Sequence, residues 1–130
     1  MVGILLVTHN GLGDSFVDCV RHVLGEVPHN LKSLSVQSGD DPSQKLAEGE
    51  ALIKQLDMGG GVLILADVYG ATPSNIARQL CHVERAMGVA GVNLPMLLRV
   101  TCSPGKTLPE LAKIAVDGGR ECIVHMNQDH

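Results

Sequence analysis

The stretch Gly3-Ile4-Leu5-Leu6-Val7-Thr8-His9, followed at once by Asn10-Gly11-Leu12-Gly13-Asp14, constrains this chain more than any other. An unbroken, partly β-branched apolar run of this length reads as a strand buried on both faces of a sheet. It stops at a histidine and a Gly/Asn turn. From Asp14 or Ser15 the spacing becomes helical, with Phe16, Val20, Val23 and Leu24 on one side. In an open α/β sheet, ligands and chemistry gather at the carboxyl ends of strands. The register of this one strand therefore puts His9 at such an end.

A second run of the same kind, Gly61-Val62-Leu63-Ile64-Leu65-Ala66, ends on Asp67. Between the two lie a weaker strand over Leu31–Val36 and a helix that opens at Asp41-Pro42, a strong start signal. The expected stripe of that helix is Leu46, Ala47, Ala51, Ile53 and Leu56, and Asp57-Met58-Gly59-Gly60 ends it. After Asp67, the pair Thr72-Pro73 reads as an N-cap and first turn leading into Ile76, Ala77, Leu80 and Cys81. Met87–Val92 reads as a fourth strand, and Asn93-Leu94-Pro95 opens a helix to about Val100. Thr107-Leu108-Pro109-Glu110 opens the last helix, with Leu111, Ile114 and Ala115 inward and Asp117-Gly118-Gly119 as its stop. Glu121–Met126 is expected to form a final strand. Four βα units with short loops imply a mostly parallel sheet covered on both faces, in one domain over residues 1–130.

Composition narrows the function. Apolar residues make up 45% of the 130, so a real core can form, yet one Phe, one Tyr and no Trp make it aliphatic. A net charge of −4 without a basic cluster argues against nucleic acid and against an anionic membrane surface as partners. No apolar run approaches a membrane span, so direct membrane insertion is not expected. Cys19, Cys81, Cys102 and Cys122 form no CxxC pair and fall in apolar patterns, which suits small buried hydrophobes in a reducing cytoplasm. No metal site and no cofactor are called for: GxxxxGK[ST] is absent, as is any GxGxxG between strand and helix.

If the strands ending at His9 and Asp67 are neighbours, the two side chains share one rim. A carboxylate on one imidazole nitrogen fixes the tautomer and leaves the other nitrogen as a nucleophile. The loops beyond them run into helix N-termini, which favour an anion, and Thr72 adds a hydroxyl. That set suits a transient phosphohistidine charged by another protein rather than by a nucleotide. His22, His29 and His82 fall on helices or turns without a second polar partner, and His125 and His130 lie in the tail, where solvated side chains are the rule.

The residues resemble the IIA domain of mannose-type phosphotransferase systems. The carrying motifs are the strand with Thr8-His9 and its Gly-containing turn, Asp67-Val68-Tyr69-Gly70-Ala71-Thr72-Pro73-Ser74-Asn75, Ala90-Gly91-Val92-Asn93-Leu94-Pro95-Met96-Leu97, and Thr107–Val124 with Gly118-Gly119-Arg120-Glu121. They cover essentially the whole chain in order. The resemblance implies a three-layer α-β-α fold with a four-stranded, mostly parallel sheet in the order 2-1-3-4. It adds a C-terminal antiparallel strand, often exchanged within a homodimer. It also implies that His9 takes a phosphoryl group on Nε2 from the carrier protein HPr and passes it to a histidine of a IIB partner. Asp67 then holds the imidazole, while Asn10, Gly11, Gly70 and Thr72 border the phosphoryl oxygens. Two departures stand out: Asn10 follows the histidine where the family most often has Gly, and Gly70-Ala71-Thr72-Pro73 replaces Gly-Gly-Ser-Pro. The competing readings are a binding protein switched by phosphorylation of His9, the phosphotransfer subunit of a dihydroxyacetone kinase, and a flavodoxin-like small-molecule binder.

Overall fold

The computed structural model describes residues 1–82 and 85–127. Its elements are β1 (Gly3–His9), α1 (Leu12–Leu24), β2 (Leu31–Val36), α2 (Pro42–Leu56), β3 (Val62–Ala66), α3 (Thr72–Leu80), β4 (Ala86–Ala90), α4 (Leu94–Thr101) and α5 (Leu108–Glu121). The four strands form one sheet in the order β2-β1-β3-β4, and every pairing is parallel. Val7 pairs with Leu34 on one side and Ala66 on the other, so β1 runs two residues past the end of β3.

The two unbroken apolar runs are the central strands, because only a strand covered on both faces can be apolar at every position. Alternate residues divide between two cores. Ile4, Leu6, Leu63 and Leu65 pack with Val20 of α1, Leu97 of α4 and Leu111 of α5. Leu5, Val7, Ile64 and Leu34 pack on the other face with Ile53 of α2 and Ile76 of α3. Replacing one of these fully buried leucines by Ala costs about 2–5 kcal/mol. Because α1 and α3 cover opposite faces, the chain parts between the ends of β1 and β3, the place where open α/β sheets form a crevice.

The expected elements through the last helix are present, with shifted ends, but the expected final strand over Glu121–Met126 is not. α1 starts at Leu12, two or three residues before the expected Asp14 or Ser15. Its last turn is open rather than packed, with Val23 and Leu24 both exposed, and Ala47 and Ala51 of α2 face solvent too. Thr72 is not an N-cap: Ala71 holds that position, and Thr72 is the first helical residue. Gly118-Gly119 does not stop α5, which runs on to Glu121. These glycines permit contact instead, since an added Cβ at Gly118 would lie 2.9 Å from Arg99 Cγ and one at Gly119 2.9 Å from Met96 Cε. As a result Glu121 closes the helix, and residues 122–127 are turn and irregular chain rather than a strand of this sheet.

The cysteines also differ from expectation. Cys19, Cys102 and Cys122 are exposed, Cys81 is half-buried, and all four are free thiols. The physical reason is position: Cys81, Cys102 and Cys122 are each the C-terminal cap of a helix, where the chain turns outward. Among the described residues no helix is long and apolar enough to cross a membrane. His130 lies outside the described residues.

Candidate functional site

His9 is the last residue of β1, and its side chain is 48% exposed. Asp67 follows β3 directly, and its side chain is only 6% exposed. The neighbouring ends of these two parallel strands bring them together: Asp67 Oδ2 lies 2.8 Å from His9 Nδ1 and accepts the His9 backbone N–H at 2.9 Å. The other oxygen, Oδ1, accepts the Val68 N–H at 2.9 Å. Burial alone pushes the Asp67 carboxyl up, but the bonds from His9 N–H, the His9 ring and Val68 N–H together outweigh it and hold it below the usual range. An ionised carboxylate can only accept, so Nδ1 carries the proton. In the neutral ring the lone pair is then on Nε2, at the exposed edge.

The loops on either side differ in how they turn. Asn10 has a left-handed backbone (φ +47°) and donates its N–H to Val36 O at 3.0 Å. Asn is one of the few residues that tolerate this conformation, so the turn survives without the family's glycine. Gly11 is the N-cap of α1. Gly70 is left-handed as well (φ +87°), and its N–H is taken by Ser74 Oγ at 2.8 Å. Gly70 thus serves the turn rather than offering an amide to a ligand. Thr72 is exposed at the start of α3.

The helix starts explain why an anion would settle here. α2, α4 and α5 each have a side-chain cap: Asp41 accepts Ser43 N–H, Asn93 accepts Met96 N–H, and Thr107 forms a capping box with Glu110. α1 and α3, the two helices beside His9, have Gly11 and Ala71 at the N-cap and no side-chain cap. Uncapped first-turn amides are a ready anion site. Two residues of the site escaped the sequence reading. Thr8 Oγ1 accepts Gly13 N–H at 2.8 Å, and Ser74 Oγ donates to Ala71 O at 2.9 Å besides accepting from Gly70. A polar residue inside an otherwise apolar buried strand, and a serine three places beyond an alanine N-cap, were the available signals. Among the described residues no group of three or more His, Cys, Asp and Glu side chains could hold a metal ion.

The site is thus a solvent-facing imidazole held by a buried carboxylate, at the place where a parallel sheet's central strands part. Residues 3–114 match the family described as PTS system fructose IIA component (EIIA-man), and the chain belongs to that family. It is thus a IIA component of the mannose/fructose type, in a family of phosphotransferases. Over 125 residues, 94% of this chain, it is 29% identical to the PTS system mannose-specific EIIAB component of Escherichia coli (strain K12). The chain spans 38% of that relative's length. It is 27% identical over 101 residues to the PTS system fructose-specific EIIA component of Bacillus subtilis, covering 77% of this chain and 68% of that one. Its fold matches the mannose/sorbose specific IIA subunit from Enterococcus faecalis with a TM-score of 0.86, at 23% identity, over 99% of this chain and 97% of that one.

Proposed function

We propose that this chain is a cytoplasmic phosphocarrier that takes a phosphoryl group from HPr on His9 and passes it to a histidine of a IIB partner. The Nε2 lone pair of His9 attacks the phosphorus of the donor phosphohistidine in line. The new N–P bond forms as the donor's N–P bond breaks, and the donor imidazole leaves with its electron pair. The Nδ1 proton stays on the ring, where the Asp67 carboxylate offsets the positive charge that develops. The second transfer is the same step with His9 as the leaving group. Free amides of α1 and α3, with Thr72 at the start of α3 and Asn10 and Gly11 on the bordering loop, compensate the phosphoryl oxygens.

The observation that carries this reading is the 2.8 Å contact of Asp67 with Nδ1 beside an exposed ring edge. Homodimer formation belongs to the same reading: the segment 122–126, beyond the end of α5, lies antiparallel on the open edge of β4 in a second copy. Exposed Ile123, Val124 and Met126, with Met87 half-open on β4, support it, since an uncovered apolar edge invites pairing. Ending the chain at Cys122 would then give a monomer by ultracentrifugation.

The test of the carrier reading is direct. The purified chain is mixed with enzyme I, HPr and phosphoenolpyruvate, and phosphate is mapped by mass spectrometry in mild alkali. Phosphate on His9 is the expected result. None on this chain, with HPr fully charged, would overturn the reading in favour of a binding protein.

A further inference from the structure

Besides the Asp67 side chain, the buried polar residues among those described are Thr8 at 0% and Ser74 at 2% exposure. A buried hydroxyl is costly unless bonded, and these two flank the loops beside His9, Thr8 from the end of β1 and Ser74 from the first turn of α3. Thr8 immediately precedes His9 and accepts the N–H of Gly13, the second residue of α1. Ser74 accepts the Gly70 N–H and donates to Ala71 O, closing the turn between Asp67 and α3 on itself. Space is tight as well as polar: an added Cβ at Gly13 would meet Ser33 Oγ and lie 2.8 Å from Thr8 Oγ1.

We infer that Thr8 and Ser74 are positioning residues for phosphoryl transfer, fixing the two loops from beneath so that their outer amides stay free. An N-cap side chain would steady the same helices from outside, but would occupy the amides that face the ligand. A hydroxyl supplied from the buried end of β1, or from inside α3, steadies the loop and leaves that side open. Without Thr8 Oγ1 the Gly13 N–H is buried and unpaired, so the α1 turn has to shift or fray, and it is joined to His9 through three residues. A displacement of about 1 Å at a reacting group can cost transfer about a hundredfold.

The inference rests on the carrier reading, and the experiment separates the two. Thr8→Val removes the acceptor at nearly constant volume, and Thr8→Ser restores it; Ser74→Ala and Ser74→Thr form the second pair. Each is charged from phospho-HPr, with rates per folded molecule, half-saturation and thermal midpoint recorded. Thr8→Val and Ser74→Ala are expected to transfer about tenfold more slowly at saturation with half-saturation unchanged, and the hydroxyl-bearing variants to stay within about threefold. Wild-type rates in Thr8→Val and Ser74→Ala, or equal losses with and without the hydroxyl, would overturn the inference. Should Thr8→Val not fold, the Ser74 pair decides. An uncharged wild-type chain would instead bring down the carrier reading itself.

Discussion

The helices that leave the outer strands begin differently from those that leave the central ones. α2 and α4 follow β2 and β4 and are closed by Asp41 and Asn93, each accepting a first-turn amide. α1 and α3 follow β1 and β3 and start at Gly11 and Ala71, which have nothing to offer. All four starts lie at the same edge of one parallel sheet, two beyond its central strands and two beyond its outer ones. A side-chain cap contributes about 0.5–2 kcal/mol to stability. At the two starts beside His9 the N-cap residue supplies none; in α1 Thr8 Oγ1 takes the Gly13 N–H instead, and in the proposed function the remaining first-turn amides face the phosphoryl group.

The sharpest test of this contrast is also the largest expected effect. His9→Ala should abolish phosphate uptake while moving the thermal midpoint little, because the side chain stands half in solvent at a strand end. A large loss of stability would mean that His9 belongs to the scaffold.

Next, Asp67→Asn should slow transfer by about a hundredfold, since the ring loses its fixed orientation and its countercharge. The same change tests the acid side. The folded pKa of Asp67 lies below the ordinary 3.8, so the stability from its ion is complete above that value and is lost as pH falls through the folded one. Acid unfolding curves of wild type and Asp67→Asn should be apart at neutral pH and converge well below 3.8. A constant gap at every pH would remove the carboxylate's charge from the account.

Ala71→Asp then turns an open start into a closed one. The backbone there (φ −93°, ψ 172°) already suits a cap, so the variant should gain about 1 kcal/mol and transfer about tenfold more slowly. Faster transfer would break the comparison. Smallest of all, Asp41→Ala should cost about 1 kcal/mol in chemical denaturation and leave transfer rates untouched.

The sequence made His9 and Asp67 legible because both stand directly beyond runs that could only be central strands. The helices covering both faces follow from the same runs, whereas the strand order 2-1-3-4 is implied by the family resemblance alone. What stayed hidden depended on contacts between remote segments. Gly13 looks like loop and is helix because α1 presses against Thr8 and Ser33 there. Gly118-Gly119 looks like a stop and is the seam against Arg99 and Met96 of α4, which is why α5 consumes the start of the expected last strand. Thr72 looks like a cap, yet the backbone turns one residue earlier and Ser74 does the bonding. Local chemistry announces the punctuation of a chain, but tertiary contact decides which residue carries it.

The aliphatic core has a practical consequence at the site. The chain has one tyrosine and no tryptophan, and that tyrosine, Tyr69, is 75% exposed two residues beyond Asp67. Excited beyond the phenylalanine band, the molecule's emission therefore originates at Tyr69 alone, on the loop that follows Asp67. Any protein that covers this loop will alter that light, and the encounter can be timed without a dye, a tag or a radioactive phosphate.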